Sequence, residues 1–214
     1  MVRGAPLDVG RVRRSARAAR KMSKPMTFTS HPLTPDRWPD LVQLFGERGA
    51  CAGCWCMYWR LPRAKYEAGQ GASNRRAFGR VVRAGRAPGV LAYVDGQPVG
   101  WCAVGPRESF PRLEKSRTLQ PIDDRPVWSV TCFFIARPWR RRGLSVRLLE
   151  AAVAHARSQG ATVVEGYPSV SRGARMADAF AWTGLVGTFE RAGFRIAVRA
   201  SDARRIMRRE LRPN

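Results

Sequence analysis

Several features are scarce in this chain, and each scarcity excludes a class of protein. No apolar run in its 214 residues approaches the roughly 20 residues that a membrane-spanning helix needs. The first residues carry charge, but the apolar segment of a secretory signal does not follow them. The sequence therefore predicts a soluble cytoplasmic protein without a membrane partner.

Acidic residues are few, numbering 16 against 39 basic ones, so that the formal net charge is +23 at pH 7. Lysine occurs only at Lys21, Lys24, Lys65 and Lys115, and the charge is therefore nearly all arginine. One interpretation is a basic surface for nucleic acid, the ribosome or another polyanion. The other is the residue usage of a GC-rich genome, which we favour because the arginines are spread along the chain rather than gathered in one basic-aromatic patch.

Large apolar side chains are nearly absent from residues 1–25, which are rich in arginine. Such a segment cannot bury enough surface to offset its ordering entropy, so we expect a disordered basic arm. A nucleic-acid-binding tail and a translated leader ending near Met22 or Met26 both fit this composition. One folded domain is expected over residues 26–214.

The pattern of the remaining residues predicts a mixed α/β domain. Hydrophobic residues make up 44 % of the chain, enough for one packed core. Strand patterns occur at 27–34, twice within 88–106, and at 127–136, 161–168, 194–200 and 203–211. Helical patterns occur at 34–47, 73–85, 142–159 and 184–193.

Local signals define some of these boundaries. Thr34 is predicted as the N-cap of the first helix. Ser73 or Asn74 is predicted to cap the second helix, and Gly85 to end it. Asp95-Gly96 lies between two β-rich runs and is typical of the type I′ turn of a β-hairpin.

The turn between strand 127–136 and helix 142–159 carries the clearest chemical signal. Backbone N–H groups at a helix start have no intrahelical partners and lie at the positive end of the helix dipole. A glycine and a small residue in that turn let a phosphate approach them closely. The residues are Arg140, Arg141, Arg142, Gly143, Leu144 and Ser145. They predict a pyrophosphate cradle; the alternative is an ordinary strand–helix turn with solvated arginines.

The order of elements and this turn resemble the GNAT N-acetyltransferase family. Arg140, Gly143 and Ser145 occupy the places of the family's pyrophosphate signature, with serine as the last small residue. A later family motif, an aromatic residue followed by charge and a Gly-Phe pair, is similar to residues 189–194. The resemblance covers about residues 27–212.

The resemblance implies a central, mostly antiparallel and twisted sheet of about seven strands, splayed in the middle and flanked by helices. Acetyl-CoA, the acyl-donor substrate, would lie between strands 127–136 and 161–168. The strand edge around Phe133, Phe134 and Ile135 would bind its pantetheine arm, and the amides after Arg140 its pyrophosphate. The implied reaction is direct attack of a primary amine on the thioester in a ternary complex. An isologous homodimer is a reasonable assembly.

The sequence departs from the family pattern at two chemical positions. Ser129 stands where many members have a carboxylate, and Phe189 stands at the place of the usual tyrosine acid. Three outcomes follow: water acts as base, other groups such as Glu165 and Tyr167 are recruited beside Ser129, or the protein is a non-catalytic acyl-CoA sensor. Strict strand alternation turns Cys132 away from Ser129, which disfavours a covalent acyl-enzyme.

The stretch from Cys51 to Pro62 concentrates cysteine and aromatic residues. It lacks the second ligand pair typical of a structural zinc site, so no metal is expected. A redox Cys-x-x-Cys pair normally lies at a helix N-terminus next to a strand, whereas this one follows the turn GERGA, which disfavours a redox role. Packing of the loop into the core is the open alternative. We favour a wall of the acceptor site in which Trp55, Cys56 and Trp59 bind the amine.

Overall fold

The structure, a computed structural model, describes residues 26–171 and 182–212. The arm predicted over residues 1–25 lies outside the described residues. Within them, seven strands form one sheet in the order β1-β2-β3-β4-β5-β7-β6. The strands are β1 (Phe28–Pro32), β2 (Gly89–Val94), β3 (Gln97–Pro106), β4 (Trp128–Ile135), β5 (Val163–Gly166), β6 (Arg195–Ser201) and β7 (Arg204–Glu210).

Helices cover both faces of the sheet. The α-helices of the described ranges are α1 (Trp38–Phe45), α2 (Arg63–Ala68), α3 (Ala72–Arg83), α4 (Pro111–Glu114), α5 (Leu144–Ser158) and α6 (Val186–Arg191). None of these helices is long and apolar enough to cross a membrane.

The sheet is mostly antiparallel, as the family resemblance implied. Only β4 and β5 run parallel, and their pairing lasts for three residues, from Trp128 opposite Val164 to Val130 opposite Gly166. β5 pairs on its other side with β7, which returns antiparallel. The two middle strands therefore diverge beyond Val130, which opens the sheet at its centre.

The core lies in two layers, one on each face of the sheet. The predicted apolar stripe of α5, including Leu148, Leu149 and Ala152, is fully buried against one face. On the other face, α1 and α3 pack with Trp101 of β3. Burial of these stripes supplies most of the driving force that fixes the helices on the sheet.

The turn predictions with a backbone reason are confirmed. Asp95 and Gly96 have φ values of 49° and 81°, as a type I′ hairpin requires. Gly85 follows α3 with φ 77°, the left-handed conformation that commonly ends a helix.

The structure confirms Thr34 as an N-cap residue, followed by Pro35 in the first position of a 3₁₀ turn that precedes α1, whereas the predicted cap of α3 is wrong. Thr34 makes no capping bond; its hydroxyl accepts a hydrogen bond of 2.9 Å from Arg37 Nη1. Neither Ser73 nor Asn74 caps α3, which begins at Ala72 after Gly71. Asn74 is instead buried, and its side-chain amide donates to the carbonyl oxygens of Gly53 and Tyr66. This long-range role overrides the local capping preference.

Candidate functional site

The candidate site begins where β4 and β5 diverge. A β-bulge lies at this point: Val130 is opposite Val104, whereas Cys132 is opposite Ala103, which leaves Thr131 as the extra residue. A bulge reverses the faces of the residues that follow it. Val130 accordingly packs with the α5 layer, whereas Cys132 packs with the α1 layer.

The edge of β4 beyond the bulge was predicted to bind pantetheine. The Phe133 amide faces the gap, where it donates a 2.6 Å hydrogen bond to the carbonyl oxygen of Trp182. Ile135 presents its amide to the same edge because alternate residues of a strand do so. Phe134, between them, directs its ring to the α1 layer, 5.5 Å from Phe45.

The predicted cradle begins directly after this strand. Arg141 and Gly143 both have positive φ values, 62° and 75°, and Gly143 is the N-cap of α5. A Cβ built on Gly143 would meet nothing within 4 Å, so the turn faces open space. The amides of Leu144 and Ser145, in the first turn of α5, have no intrahelical acceptor. The geometry is that of an anion site at the start of a 15-residue helix.

Arginines shape this turn. Arg140 Nε donates to the carbonyl oxygen of Ile135 over 2.9 Å and so ties the turn to the end of β4. The Arg142 guanidinium lies 5.2 Å from the Trp139 ring centre. The side chains of Arg141 and Arg142 are exposed beside the amides, where they add positive potential.

The three predicted catalytic residues come together in one hydrogen-bonded group. Ser129 and Glu165 are opposite each other on β4 and β5, and Tyr167 follows on the same face. The Tyr167 hydroxyl lies 2.8 Å from Ser129 Oγ and donates to Glu165 Oε1 over 2.7 Å. All three residues are fully buried.

Two arginines, which sequence reasoning missed, complete this group. Arg107 Nη1 donates to Tyr167 Oη over 2.7 Å and to Glu165 Oε1 over 3.1 Å. Arg208 Nε donates to Glu165 Oε2 over 2.8 Å. Both carboxylate oxygens of Glu165 are thus engaged by guanidinium groups. Burial raises the pKa of Tyr167, so its hydroxyl stays protonated.

Phe189 lies behind this group. Its ring is fully buried, 5.9 Å from the Phe133 ring and 4.9 Å from the Phe194 ring. A Cβ on Gly166 would overlap the Phe189 ring. The position where a tyrosine acid was looked for is therefore occupied by a packed apolar ring.

The structure does not place Trp55 and Cys56 in the wall of an acceptor site. Both are buried in the α1 layer, where the Trp55 ring is 5.6 Å from that of Phe45. Trp101 Nε1 donates to Cys56 Sγ over 3.3 Å. Core packing accounts for both residues, because four positive-φ residues other than glycine between Ala50 and Cys56 coil this stretch inward.

Cys132 does not face away from Ser129, contrary to the expectation from strict alternation, because the bulge at Thr131 reverses its face. Its thiol donates to the carbonyl oxygen of Phe133 over 3.9 Å. The neighbouring Cys56 thiol, followed by burial, raises the pKa of Cys132. Cys132 is therefore a protonated thiol at neutral pH and a poor nucleophile. Across residues 26–171 and 182–212, no group of three or more potential ligands could hold a metal ion.

Trp59, the third residue predicted to bind the acceptor, does line a cavity. This cavity, the aromatic cavity below, measures about 530 Å³ and also has Tyr58 and Trp182 in its wall. Its floor includes Leu119, whose carbonyl oxygen accepts a 2.6 Å hydrogen bond from Arg107 Nη2. The cavity therefore adjoins the buried group of Ser129, Glu165 and Tyr167.

Comparison with known proteins gives the following matches. The sequence profile described as the acetyltransferase (GNAT) family matches residues 50–174. A GNAT-family acetyltransferase from Listeria monocytogenes has a similar fold, with 10% identity, a TM-score of 0.51, and coverage of 86% of this chain and 95% of that one. A GNAT-family acetyltransferase from Streptococcus agalactiae has 12% identity and a TM-score of 0.51, with coverage of 86% of this chain and 96% of that one. The PaiA N-acetyltransferase of Thermoplasma acidophilum in complex with coenzyme A has 12% identity and a TM-score of 0.49, with coverage of 86% of this chain and 99% of that one. Comparison with curated proteins gives no significant match.

Proposed function

Because the chain belongs to the GNAT acetyltransferase family, we propose that it transfers the acetyl group of acetyl-CoA to a primary amine. The observation that carries this proposal is the turn at Gly143. Its backbone amides face open space at the start of α5. They follow the end of β4, beyond the point where β4 stops pairing with β5. A diphosphate fits such a turn because it accepts several N–H bonds and favours the positive end of the helix dipole.

The gap between β4 and β5 would take the pantetheine arm. When the pantetheine arm binds there, the Phe133 amide would donate to the ligand instead of to the Trp182 carbonyl oxygen. Since one hydrogen bond is exchanged for another, the net free energy of this step is small. The Trp182 carbonyl therefore holds the strand edge in a paired state until acetyl-CoA displaces it.

The reaction requires an amine that has lost its proton and is held in the correct orientation to the thioester. The amine nitrogen attacks the thioester carbonyl carbon, the carbon–sulfur bond breaks, and the coenzyme A thiolate leaves. The proton lost by the nitrogen passes to solvent and finally to the thiolate. Holding both reactants in one cleft supplies much of the rate enhancement.

We propose that Ser129, Glu165 and Tyr167 position the strands rather than act as acid or base. Glu165 is bound by two arginines, and the Tyr167 hydroxyl already has three partners. Both carboxylate oxygens of Glu165 are therefore occupied as hydrogen-bond acceptors, and neither is free to take a proton from an incoming amine. Removal of the amine proton is then left to water.

A non-catalytic acyl-CoA sensor is the second candidate function. Phe189 is the observation that favours it, because a buried ring has no proton to give to the leaving thiolate. The nucleotide-binding part of the proposal is common to both functions, so acetyl transfer itself decides between them.

The deciding experiment incubates the full chain with acetyl-CoA and a library of amines, and follows release of the coenzyme A thiol together with the mass of acetylated products. We expect at least one amine to be acetylated, and Gly143→Asp to abolish that product. Tight binding of acetyl-CoA without any acetylated product would contradict the enzyme and leave the sensor.

A further inference from the structure

The aromatic cavity has the size and walls of a small-molecule site. Its volume of about 530 Å³ lies within the usual range for ligand pockets. The Tyr58 ring is 5.0 Å from that of Trp59 and 5.1 Å from that of Trp182. These edge-to-face contacts join the three rings into one aromatic wall, which favours a ligand with an apolar ring.

The charged part of the wall is entirely cationic. None of the described residues that line the cavity is acidic, whereas four are basic: Arg63, Arg112, Lys115 and Arg204. Arg63 is neutralised by Glu67 through a 2.8 Å ion pair. No carboxylate among the described residues forms an ion pair with the other three.

Two of these cations are held in place without being neutralised. The Arg112 guanidinium lies 3.9 Å from the Tyr58 ring centre, and its Nη1 donates to the Tyr58 carbonyl oxygen over 3.2 Å. Arg204 Nη1 donates to the carbonyl oxygen of Tyr167 over 2.9 Å. Carbonyl oxygens and a ring face fix the positions of the guanidinium groups, and their full charge remains available to a ligand.

Donor groups are in excess in this wall. Trp59 Nε1 is buried and has no hydrogen-bond acceptor among the described residues. The neighbouring carboxylate Glu114 is engaged by Arg107 Nε over 3.2 Å. A ligand that brings acceptor oxygens would therefore satisfy groups that the described residues leave unmatched.

We propose that the amine acceptor is a planar-ring compound that also carries a negatively charged group, a carboxylate or a phosphate. This inference rests on the proposed function, because it assigns the acceptor of that same reaction. The aromatic side chains stack on the ring, while Arg112 and Lys115 bind the anion. Polyamines and aminoglycosides, which are polycations, are repelled by the same residues.

The test compares amines that differ only in the anion. The pairs are 4-(aminomethyl)benzoate with benzylamine and tyrosine with tyramine, each with saturating acetyl-CoA; O-phosphotyramine, which has a phosphate and no carboxylate, is compared with tyramine as well. We expect kcat/KM to be at least tenfold higher for a member with the anion than for its partner without it, called the neutral amine below because it lacks the anion. In the double variant Arg112→Gln/Lys115→Gln this preference should be lost, so that the two members of each pair have similar kcat/KM values.

Lys65→Gln is the matched control, since Lys65 is an exposed lysine of α2 that does not line the cavity. It should keep the preference. Equal or better use of the neutral amines would overturn the inference while leaving acetyl transfer established. Calorimetric binding of the same compounds tests the anion preference separately from acetyl transfer. Binding of the anionic member that depends on Arg112 and Lys115, without acetylation, would support the inference and contradict the proposed function; no binding of any anionic member would overturn the inference.

Discussion

Phe189 illustrates how one buried side chain limits what the site can do. Its ring fills the space between Gly166 of β5 and Phe133 of β4. The family resemblance raised the question whether a hydroxyl at this position would restore a missing acid. The packing around Phe189 argues against such an acid, because the hydroxyl of a Phe189→Tyr variant would lie in an apolar cluster.

Phe189→Tyr is expected to lower the free energy of unfolding by about 1–3 kcal/mol, since a buried hydroxyl without a partner bears its full desolvation penalty. Turnover should not rise. Denaturant unfolding and thiol release measure the two effects. The control is Phe28→Tyr, a partly exposed ring of β1 at which the hydroxyl can reach water. A faster Phe189→Tyr enzyme would show that proton donation to the thiolate limits the wild-type rate.

Individual residues could be predicted where local chemistry decides their role. Gly143 was predicted to lie in an open turn between a strand and a helix, and the structure shows this turn, whereas its binding of a phosphate stays a prediction. Trp55 and Cys56 were misassigned, because nothing in an aromatic sequence tells whether the chain coils inward or outward. The positive φ values of Ala50, Ala52, Trp55 and Cys56 settle that orientation, and no common propensity predicts such values for these residue types.

The strands β3, β4, β5 and β7 are joined by the group around Glu165. Arg107 follows β3, Ser129 lies on β4, and Arg208 lies on β7. The carboxylate of Glu165 therefore ties the two halves of the sheet together just where β4 and β5 begin to separate. This position lets the gap open without loss of the alignment of the strands.

Glu165→Gln is expected to destabilise the fold by about 1.5–3 kcal/mol, because it removes a buried, charged hydrogen-bond acceptor from two guanidinium groups. Of their ion pairs among the described residues, Arg107 then keeps only the one with Glu114, and Arg208 only the one with Asp123. Glu210→Gln is the matched control. Glu210 is on β7 and pairs with Arg125 over 2.6 Å at the surface, where a salt bridge contributes about 0–1 kcal/mol. Chemical denaturation measures both. If Glu165→Gln instead left stability intact and abolished turnover, Glu165 would be the general base.

Helix α5 carries a buried histidine that makes stability depend on pH. Burial lowers the pKa of His155 below its usual value of 6.5, and its Nε2 lies 3.1 Å from the Ala87 carbonyl oxygen. Because the folded-state pKa is the lower one, the unfolded chain takes up a proton first as the pH falls. The stability contribution is therefore complete above pH 6.5 and is lost progressively below it.

Thermal unfolding at a series of pH values between about 7 and 5 checks this dependence. The midpoint should fall with pH for the wild type and much less for His155→Gln. Equal slopes in the two proteins would assign the pH dependence to other groups.

The whole molecule carries far more positive than negative charge, 39 basic against 16 acidic residues. Basic residues therefore exceed acidic ones by 23. Coenzyme A is strongly anionic, so this field should accelerate its association. Stopped-flow association rates are expected to fall several-fold from low to high salt, with a smaller change in the dissociation rate. A rate independent of salt would show that the charge has no part in capturing the cofactor.

Local and long-range features of the fold differed in how well the sequence predicted them. The Asp95-Gly96 hairpin, the apolar stripe of α5 and the Gly143 turn depend on neighbours in sequence, and the structure confirms them. The Arg107–Glu165 contact joins residues 58 positions apart and has no local signal. The bulge at Thr131 has no local sequence signal either. Because of it, Cys132 lies on the opposite face of the sheet from the one that strict alternation predicted.

The central claim is that the amides around Gly143 bind the diphosphate of coenzyme A. Calorimetric titration of coenzyme A into the wild type, Gly143→Asp and Gly160→Asp tests it most directly. Gly143 and Gly160 lie at the two ends of α5, both have positive φ values, 75° and 85°, and a Cβ on either meets nothing within 4 Å. The two substitutions therefore impose similar backbone strain. We predict that Gly143→Asp weakens binding at least about 100-fold, equivalent to about 2.7 kcal/mol, and that Gly160→Asp binds like the wild type. Equal affinities for all three proteins would contradict the account.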